Sequence, residues 1–279
     1  MFHLRIIAEP EKFLLKFKKN ILEYYLSQAP IPLALERYLE AKIFQTLKFE
    51  RPILDIGCGE GLFSKILFAE KIDTGIDPNS RELQRAKELD VYEELIQTKG
   101  DSIDKPSGSY NTAFSNSVLE HIPDIEPVFK EVHRLLAPGG KFYVTIPTHY
   151  FDQYSIINQI IMGLGFRLAA GKYRQFFNKF WAHYHYYDPE KWALVAKTQG
   201  FEVSQIYTYG SKSTCLFNDF LVPFSIVSFI IKRFTNRWVL FPRLRRFYMS
   251  PVKKFGLLYL HRCIDIPNGG LVFMELLKP

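Results

Sequence analysis

Pro52-Ile-Leu-Asp-Ile-Gly-Cys-Gly-Glu-Gly61 decides how this chain is read. An apolar run ends in an acid, and glycines follow at positions 57, 59 and 61. Glycine has no Cβ, so such a backbone can turn tightly and let a nucleotide-like ligand come close. The pattern predicts a buried strand over Ile53–Ile56, a tight turn, and a helix from about Leu62 to Ala69.

The alternation continues downstream. Strands are predicted over Lys71–Ile76, Leu95–Lys99, Tyr110–Ser115 and Phe142–Ile146. Helices are predicted over Ser80–Leu89, with Asn79 or Ser80 as N-cap, and over Ile125–Leu136, which Pro138-Gly139-Gly140 stops. Strands alternating with helices imply an α/β fold with a parallel, doubly wound sheet. Right-handed crossovers then bring the strand carboxyl ends to one edge, where ligands bind. Before the first strand, about Glu11 to Phe49 reads as helical with a break at Ala29-Pro-Ile-Pro32, an N-terminal helical lid over 1–50. The core covers 51–210 and carries an aromatic, irregular cap insertion over 148–186. Within that core, a helix Pro189–Thr198 precedes a strand Phe201–Tyr209. A basic, apolar insertion covers 211–268, and 269–279 holds the final strand, Leu271–Leu277.

With 279 residues, 47% of them hydrophobic, the chain can bury a large core, and global disorder is excluded. Cys58, Cys215 and Cys263 are far apart, suit a reducing compartment and show no metal-ligand spacing. Met1-Phe-His-Leu-Arg-Ile6 has no secretory pattern, so a cytoplasmic protein is expected. The net charge of +7 is local. Residues 211–262 hold ten Lys and Arg against one acid, Asp219, and the rest of the chain sums to about −2. Any anionic partner therefore belongs to that segment.

The glycine spacing does not follow the dinucleotide pattern G-x-G-x-x-G. Glu60 would also face a pyrophosphate, with no basic residue near it in the sequence. A cationic or zwitterionic ligand fits better. The glycine spacing disfavours an NAD-type oxidoreductase.

On these residues the chain resembles the class I S-adenosylmethionine-dependent methyltransferases, in particular a small-molecule, type 11-like subgroup. The resemblance runs from Ile53 to Gln205 and resumes at the last strand. It rests on Ile53-Leu-Asp-Ile-Gly-Cys-Gly-Glu-Gly61, Gly75-Ile-Asp-Pro78 and Lys99-Gly-Asp-Ser102, in that order. Phe114-Ser-Asn-Ser-Val-Leu-Glu-His-Ile-Pro-Asp124 and His133-Arg-Leu-Leu-Ala-Pro-Gly-Gly-Lys141 follow. The resemblance implies a Rossmann-like sheet of seven strands whose last is antiparallel, and S-adenosyl-L-methionine as cofactor. It assigns Asp77 and Pro78 to the ribose, and Asp101 and Ser102 to the adenine. Gly57, Cys58 and Gly59 would take the methionine part, with Asp55 orienting the turn and Ser115 and Asn116 facing the transferred methyl. Cys58 also reads simply as a small turn residue.

Methyl transfer from a sulfonium is an in-line displacement, so the enzyme positions the acceptor and needs a base only when a proton must leave. His121, His149 and His183 are the candidate catalytic residues, with Glu120 and His185 beside them. No metal is expected. The lesser alternative is a divalent ion at Glu120 and His121, since ubiquinone-pathway O-methyltransferases use acids in this region. The expected acceptor is small or lipid-like, methylated on oxygen or carbon. Ser115-Asn-Ser-Val118 lacks the Asn/Asp/Ser-Pro-Pro-aromatic signature of base-amine methylation, so nucleic acid is disfavoured. Phe220–Ile231 is apolar over twelve residues, short of the ~20 needed to cross a bilayer. Interfacial contact of 220–254 with an anionic membrane is one reading of it. A pocket-covering core helix and an RNA-binding segment are the others. An RNA methyltransferase and a non-catalytic scaffold that binds the nucleoside stay open as alternatives. The oligomeric state is not indicated.

Overall fold

The computed structural model describes residues 14–260 and 263–279. The readings that fall on Met1–Ile6, on 11–13 and on Arg262 lie outside the described residues. The sheet comprises β1 (Ile53–Ile56), β2 (Ile72–Asp77), β3 (Tyr92–Gln97), β4 (Tyr110–Asn116), β5 (Leu136–Pro147), β6 (Glu202–Tyr209) and β7 (Leu271–Leu277). Its order is β3-β2-β1-β4-β5-β7-β6. The first five strands pair in parallel, while β7 runs antiparallel to both β5 and β6. This is the doubly wound sheet that the alternation implied, with the antiparallel last strand that the resemblance implied.

Side chains alternate across the pleat, so each strand serves two cores. Ile53, Phe114, Tyr143 and Phe273 pack on one face; Leu54, Ala113, Phe142 and Met274 pack on the other. The second face is covered by α5 (Glu126–Leu135) and α8 (Pro189–Thr198), through Val128, Val132, Trp192 and Ala196. The first face takes α3 (Leu62–Leu67), α4 (Ser80–Leu89) and the N-terminal pair α1 (Ile21–Gln28) and α2 (Ile31–Phe44). Phe44, Phe49 and Phe68 surround Phe114 with ring centroids 5.6–5.8 Å away. Truncating such a ring costs about 3–5 kcal/mol.

Three expectations are corrected. The N-terminal helices are anchored in the main core through Leu22, Tyr25, Leu26, Leu35, Leu39 and Phe44, all buried. Among the described residues helix starts only at Ile21, since Leu14 and Phe17 form isolated bridges to Glu50 and Phe68. The aromatic cap is regular: α6 (Ile156–Gly163) starts where Ser155 accepts from Asn158 N, and α7 (Arg167–Phe180) follows. Density in aromatics hid the Ser155 and Gly163-Leu-Gly165 punctuation that frames these helices. Lastly, 211–268 folds into α9 (Lys212–Leu221), α10 (Ile226–Thr235), α11 (Pro242–Tyr248) and α12 (Ser250–Leu260). A short 3₁₀ turn joins α9 to α10, giving 24 continuous helical residues, Lys212–Thr235. By length and composition this helix is long and apolar enough to cross a membrane. The twelve-residue count missed this because Asn218, Asp219 and Lys232, which bracket the apolar run, are helical too.

Candidate active site

The glycine turn leaves β1 with all three glycines in the left-handed region, φ 72°, 52° and 74° at Gly57, Gly59 and Gly61. Their reasons differ. A Cβ on Gly57 would sit 2.3 Å from Val118 Cγ1, so this residue is needed for packing the turn on the loop after β4. A Cβ on Gly59 would meet nothing within 4 Å, so this residue faces open space that a ligand can enter. The turn is pinned by Gly57 N and Cys58 N, both donating to Ile76 O at 2.9 Å, and by Gly59 N donating to Asp77 Oδ2 at 3.0 Å. Beneath it Asp55 is buried and accepts from Ser64 Oγ at 2.8 Å and from the Tyr92 hydroxyl at 2.5 Å.

Beside the turn lies a cavity of about 680 Å³, within the ~300–1,000 Å³ usual for small-molecule sites. Asp55, Gly57, Cys58, Gly59 and Asn116 line it, as do His121 and His183. Asp77, Pro78, Asp101, Ser102, Ser115 and His149 lie outside its wall. Asp77 and Asp101 sit at the carboxyl ends of the neighbouring strands β2 and β3, with Asp101 and Ser102 exposed. The third strand ends at Gln97, earlier than expected, so Asp101 stands on the following loop. Ser115 is fully buried and donates to Ile56 O at 3.2 Å, tying β4 to β1, so it is turned away from the cavity. His149 packs on Tyr150 with ring centroids 4.0 Å apart.

Several residues in and behind the wall had little signal in the sequence. Glu40 of α2 is fully buried and accepts from Arg37 at 2.7 Å, Ser117 at 2.8 Å and Asn116 at 3.0 Å. This network fixes the end of β4 through a helix that the reading set apart as a lid. Arg37 and Glu40, an arginine and an acid at i, i+3, were the only hint. Glu60 is a second correction. It does not lack a cation: Lys232 lies 3.2 Å from its carboxylate, and Trp238 Nε1 donates to it at 2.7 Å. Both partners come from the basic insertion, beyond what local sequence shows.

Acids outnumber bases in this wall. Glu60 and Glu82 share Lys232, and Arg37 is taken by Glu40. Besides Asp219, which accepts from Ile156 N, three further acids face the cavity with raised pKa values. Burial lifts Asp55 to about 7, Glu36 to about 7 and Glu120 to about 8. Glu120 Oε2 is buried without a hydrogen-bond partner. A ligand carrying positive charge would relieve all three, which fits the sulfonium and ammonium groups of S-adenosylmethionine.

His183 and His121 stand beside Glu120, their rings 5.2 Å apart. Burial, then the nearness of His121, lowers His183 to about 4; burial also lowers His121. One ligand atom each from Glu120, His121 and His183 lies within 4.8 Å of the others, close enough to hold a metal ion.

Glu120 titrates with a definite sign. Its folded pKa of about 8 exceeds the ordinary 4.5, so the folded state keeps a proton that the unfolded chain releases. This contribution to stability is full below about pH 4.5 and is lost as pH rises through about 8. Asp55 and Glu36 act in the same direction. Glu120→Gln is therefore expected to flatten the fall in stability between about pH 5 and 8, on the order of 2 kcal/mol at the alkaline end. Urea unfolding of the ligand-free protein at both pH values measures it, and parallel slopes for the two proteins would refute it.

A family model described as a methyltransferase domain matches residues 25–206. That span is more than half of the chain, so the chain belongs to this family, and its fold and motifs are those of a class I S-adenosylmethionine-dependent methyltransferase. Sterol 24-C-methyltransferase of Neurospora crassa is 30% identical over 131 residues, 43% of this chain and 34% of that protein. Ubiquinone biosynthesis O-methyltransferase of Pectobacterium atrosepticum is 32% identical over 108 residues, 35% of this chain and 44% of that protein. The chain thus spans between a third and a half of the length of these curated relatives. An S-adenosylmethionine-dependent methyltransferase of Thermotoga maritima shares the fold at a TM-score of 0.54, with 16% identity, covering 93% of this chain and 98% of its own. The [4+2]-cyclase SpnF shares it equally, at 0.54 and 15% identity over 88% and 82% of the two chains. The fold by itself therefore does not fix the reaction.

Proposed function

We propose that this protein transfers a methyl group from S-adenosylmethionine to an oxygen or carbon of an apolar, lipid-like acceptor. One observation carries the reading: apolar side chains of the aromatic cap and the insertion line the cavity beside the glycine turn. Phe151, Phe177 and Trp181 come from the cap, and Val222 and Phe229 from the α9–α10 helix. Two relatives named for sterol and ubiquinone methylation support the acceptor class.

When bound, the donor supplies an activated methyl group. The residues of this chain do the rest. Gly57–Gly59 and Asp77 would hold the nucleoside and methionine parts, while Asn116 is fixed by Glu40 and Thr145 at the end of β4. Phe151, Phe177 and Trp181 of the cap would pack against the acceptor. His183 is neutral, and its Nδ1 is buried without a hydrogen-bond partner, so a ring nitrogen is open to an acceptor hydroxyl. Glu120 is buried at its side and keeps its own proton near neutrality.

The test is release of S-adenosylhomocysteine with lipid, quinone, sugar and RNA extracts as acceptors. Turnover with lipid or quinone is expected, and turnover with RNA alone would refute the reading. A chelator arm addresses the second use of the Glu120–His121–His183 group. Turnover unaffected by EDTA is expected of a base. Loss restored by a divalent ion would assign the three residues to a metal instead.

A further inference from the structure

We propose that the outer face of α6, α7 and α9–α12 docks on an anionic lipid bilayer, with the α6–α7 turn inserted and the α9–α10 helix lying flat in the interface.

The α9–α10 helix is amphipathic in the inverted sense. Thr214, Cys215, Ser225 and Ser228 are buried against the protein, while Phe220, Phe224, Val227, Ile230 and Phe234 are exposed. A helix on a water-soluble protein turns its apolar stripe inward. The α6–α7 turn repeats the pattern: Ile160, Met162, Leu164, Phe166 and Leu168 are all exposed, Leu168 at 88%. Phe247 of α11 and Leu258 of α12 are exposed at 85% and 83%. These helices are neighbours. Ile156 N of α6 donates to Asp219 of α9 at 2.8 Å, and Phe217 of α9 packs on Phe255 and Tyr259 of α12. Scattered exposed apolar residues are ordinary, but a run shared by adjacent helices marks an interaction surface.

Charge selects the occupant. Among the described residues of 148–186 and 211–260 the acids are Asp152 and Asp219. Both face inward, Asp152 accepting from Asn178 at 2.7 Å and Asp219 from Ile156 N at 2.8 Å. The exposed charges are basic, including Arg167, Lys172, Lys179, Arg237, Arg243 and Lys254. Aliphatic and aromatic side chains interleaved with cations match the acyl and headgroup layers of an anionic membrane. A nucleic-acid surface would not need exposed leucine, isoleucine and valine.

Anchorage decides between lying on and crossing. The helix is long enough to span, but both ends are fastened to the core. At its start, Ser211 caps the helix directly after β6, and Thr214 Oγ1 lies 3.2 Å from Cys263 Sγ. At its end, Lys232 is 3.0 Å from Glu82, Arg81 donates to Arg233 O at 2.8 Å, and Asn236 donates to Arg81 O at 2.9 Å. A helix tied at both ends to one globular body cannot put that body on two sides of a bilayer.

The experiment is flotation of the full chain with vesicles of phosphatidylcholine mixed with phosphatidylglycerol, at low salt. Co-flotation is expected, with much less on pure phosphatidylcholine. The double variant Leu168→Glu with Phe234→Glu alters only exposed side chains and should lower partitioning at least tenfold, with donor affinity unchanged by calorimetry. Absence of the wild-type protein from the floated fraction would overturn the proposal. So would a variant that floats like wild type. Sedimentation velocity and RNA retention close the alternatives: a dimer lost in the same variant, or RNA bound in preference to vesicles, would assign the face to another partner.

Discussion

Asp77→Ala is expected to raise the dissociation constant for S-adenosylmethionine at least tenfold, about 1.4 kcal/mol or more. The structure gives Asp77 two bonds of its own. Oδ2 accepts from Gly59 N at 3.0 Å and Oδ1 from Asn79 N at 2.8 Å. Removing the carboxylate thus loosens the turn and deletes the acceptor meant for the ribose. Asp77→Asn keeps one acceptor oxygen for Gly59 N or Asn79 N and sets an NH2 against the other, so it should disturb the turn less than Asp77→Ala while removing the charge. Calorimetric titration of both variants measures the effect. An unchanged constant in Asp77→Ala would overturn the ribose assignment.

His183→Phe is expected to lower kcat by about 10²-fold or more while leaving donor affinity intact. Phenylalanine preserves the ring contacts with Phe151 and Phe177, whose centroids lie 5.8 and 6.5 Å away. The substitution therefore removes the proton acceptor with little disturbance of the cap. The pH profile adds an independent readout. A histidine lowered to about 4 stays neutral where a free imidazole would be half charged, so wild-type turnover should hold from about pH 7 down to about pH 5. Full turnover in His183→Phe would exclude the base role.

The sheet was legible in the sequence because its strands are short, apolar and bounded by turn residues. Ile53–Ile56 and Leu271–Leu277 fall where periodicity put them. Asp55, the glycine turn and Asn116 were legible for the same reason: their roles follow from position at a strand end. What the sequence hid is long-range. Glu40 reaches Asn116 and Tyr209 from α2, and Lys232 reaches Glu60 from the other end of the chain. Local spacing carries no trace of such pairs. The aromatic cap misled because Phe and Tyr favour neither period strongly, so the capping Ser155 mattered more than the rings around it. The apolar insertion was legible in composition and not in geometry. Only the fold shows that Thr214, Ser225 and Ser228 point inward and Phe220, Phe224 and Phe234 outward.

That inversion links the cavity to the outer face, since the α9–α10 helix lines the first with Asn218, Val222 and Ser225 and presents the second. An acceptor drawn from a bilayer would meet this wall first. The decisive measurement follows the methyl group itself: donor labelled on its methyl, incubated with the protein and a membrane lipid extract, then partitioned between water and organic solvent. Label in the organic phase, lowered with Asp77→Ala at sub-saturating donor, is the result predicted. Label confined to the aqueous phase, with donor binding intact, would contradict an apolar acceptor.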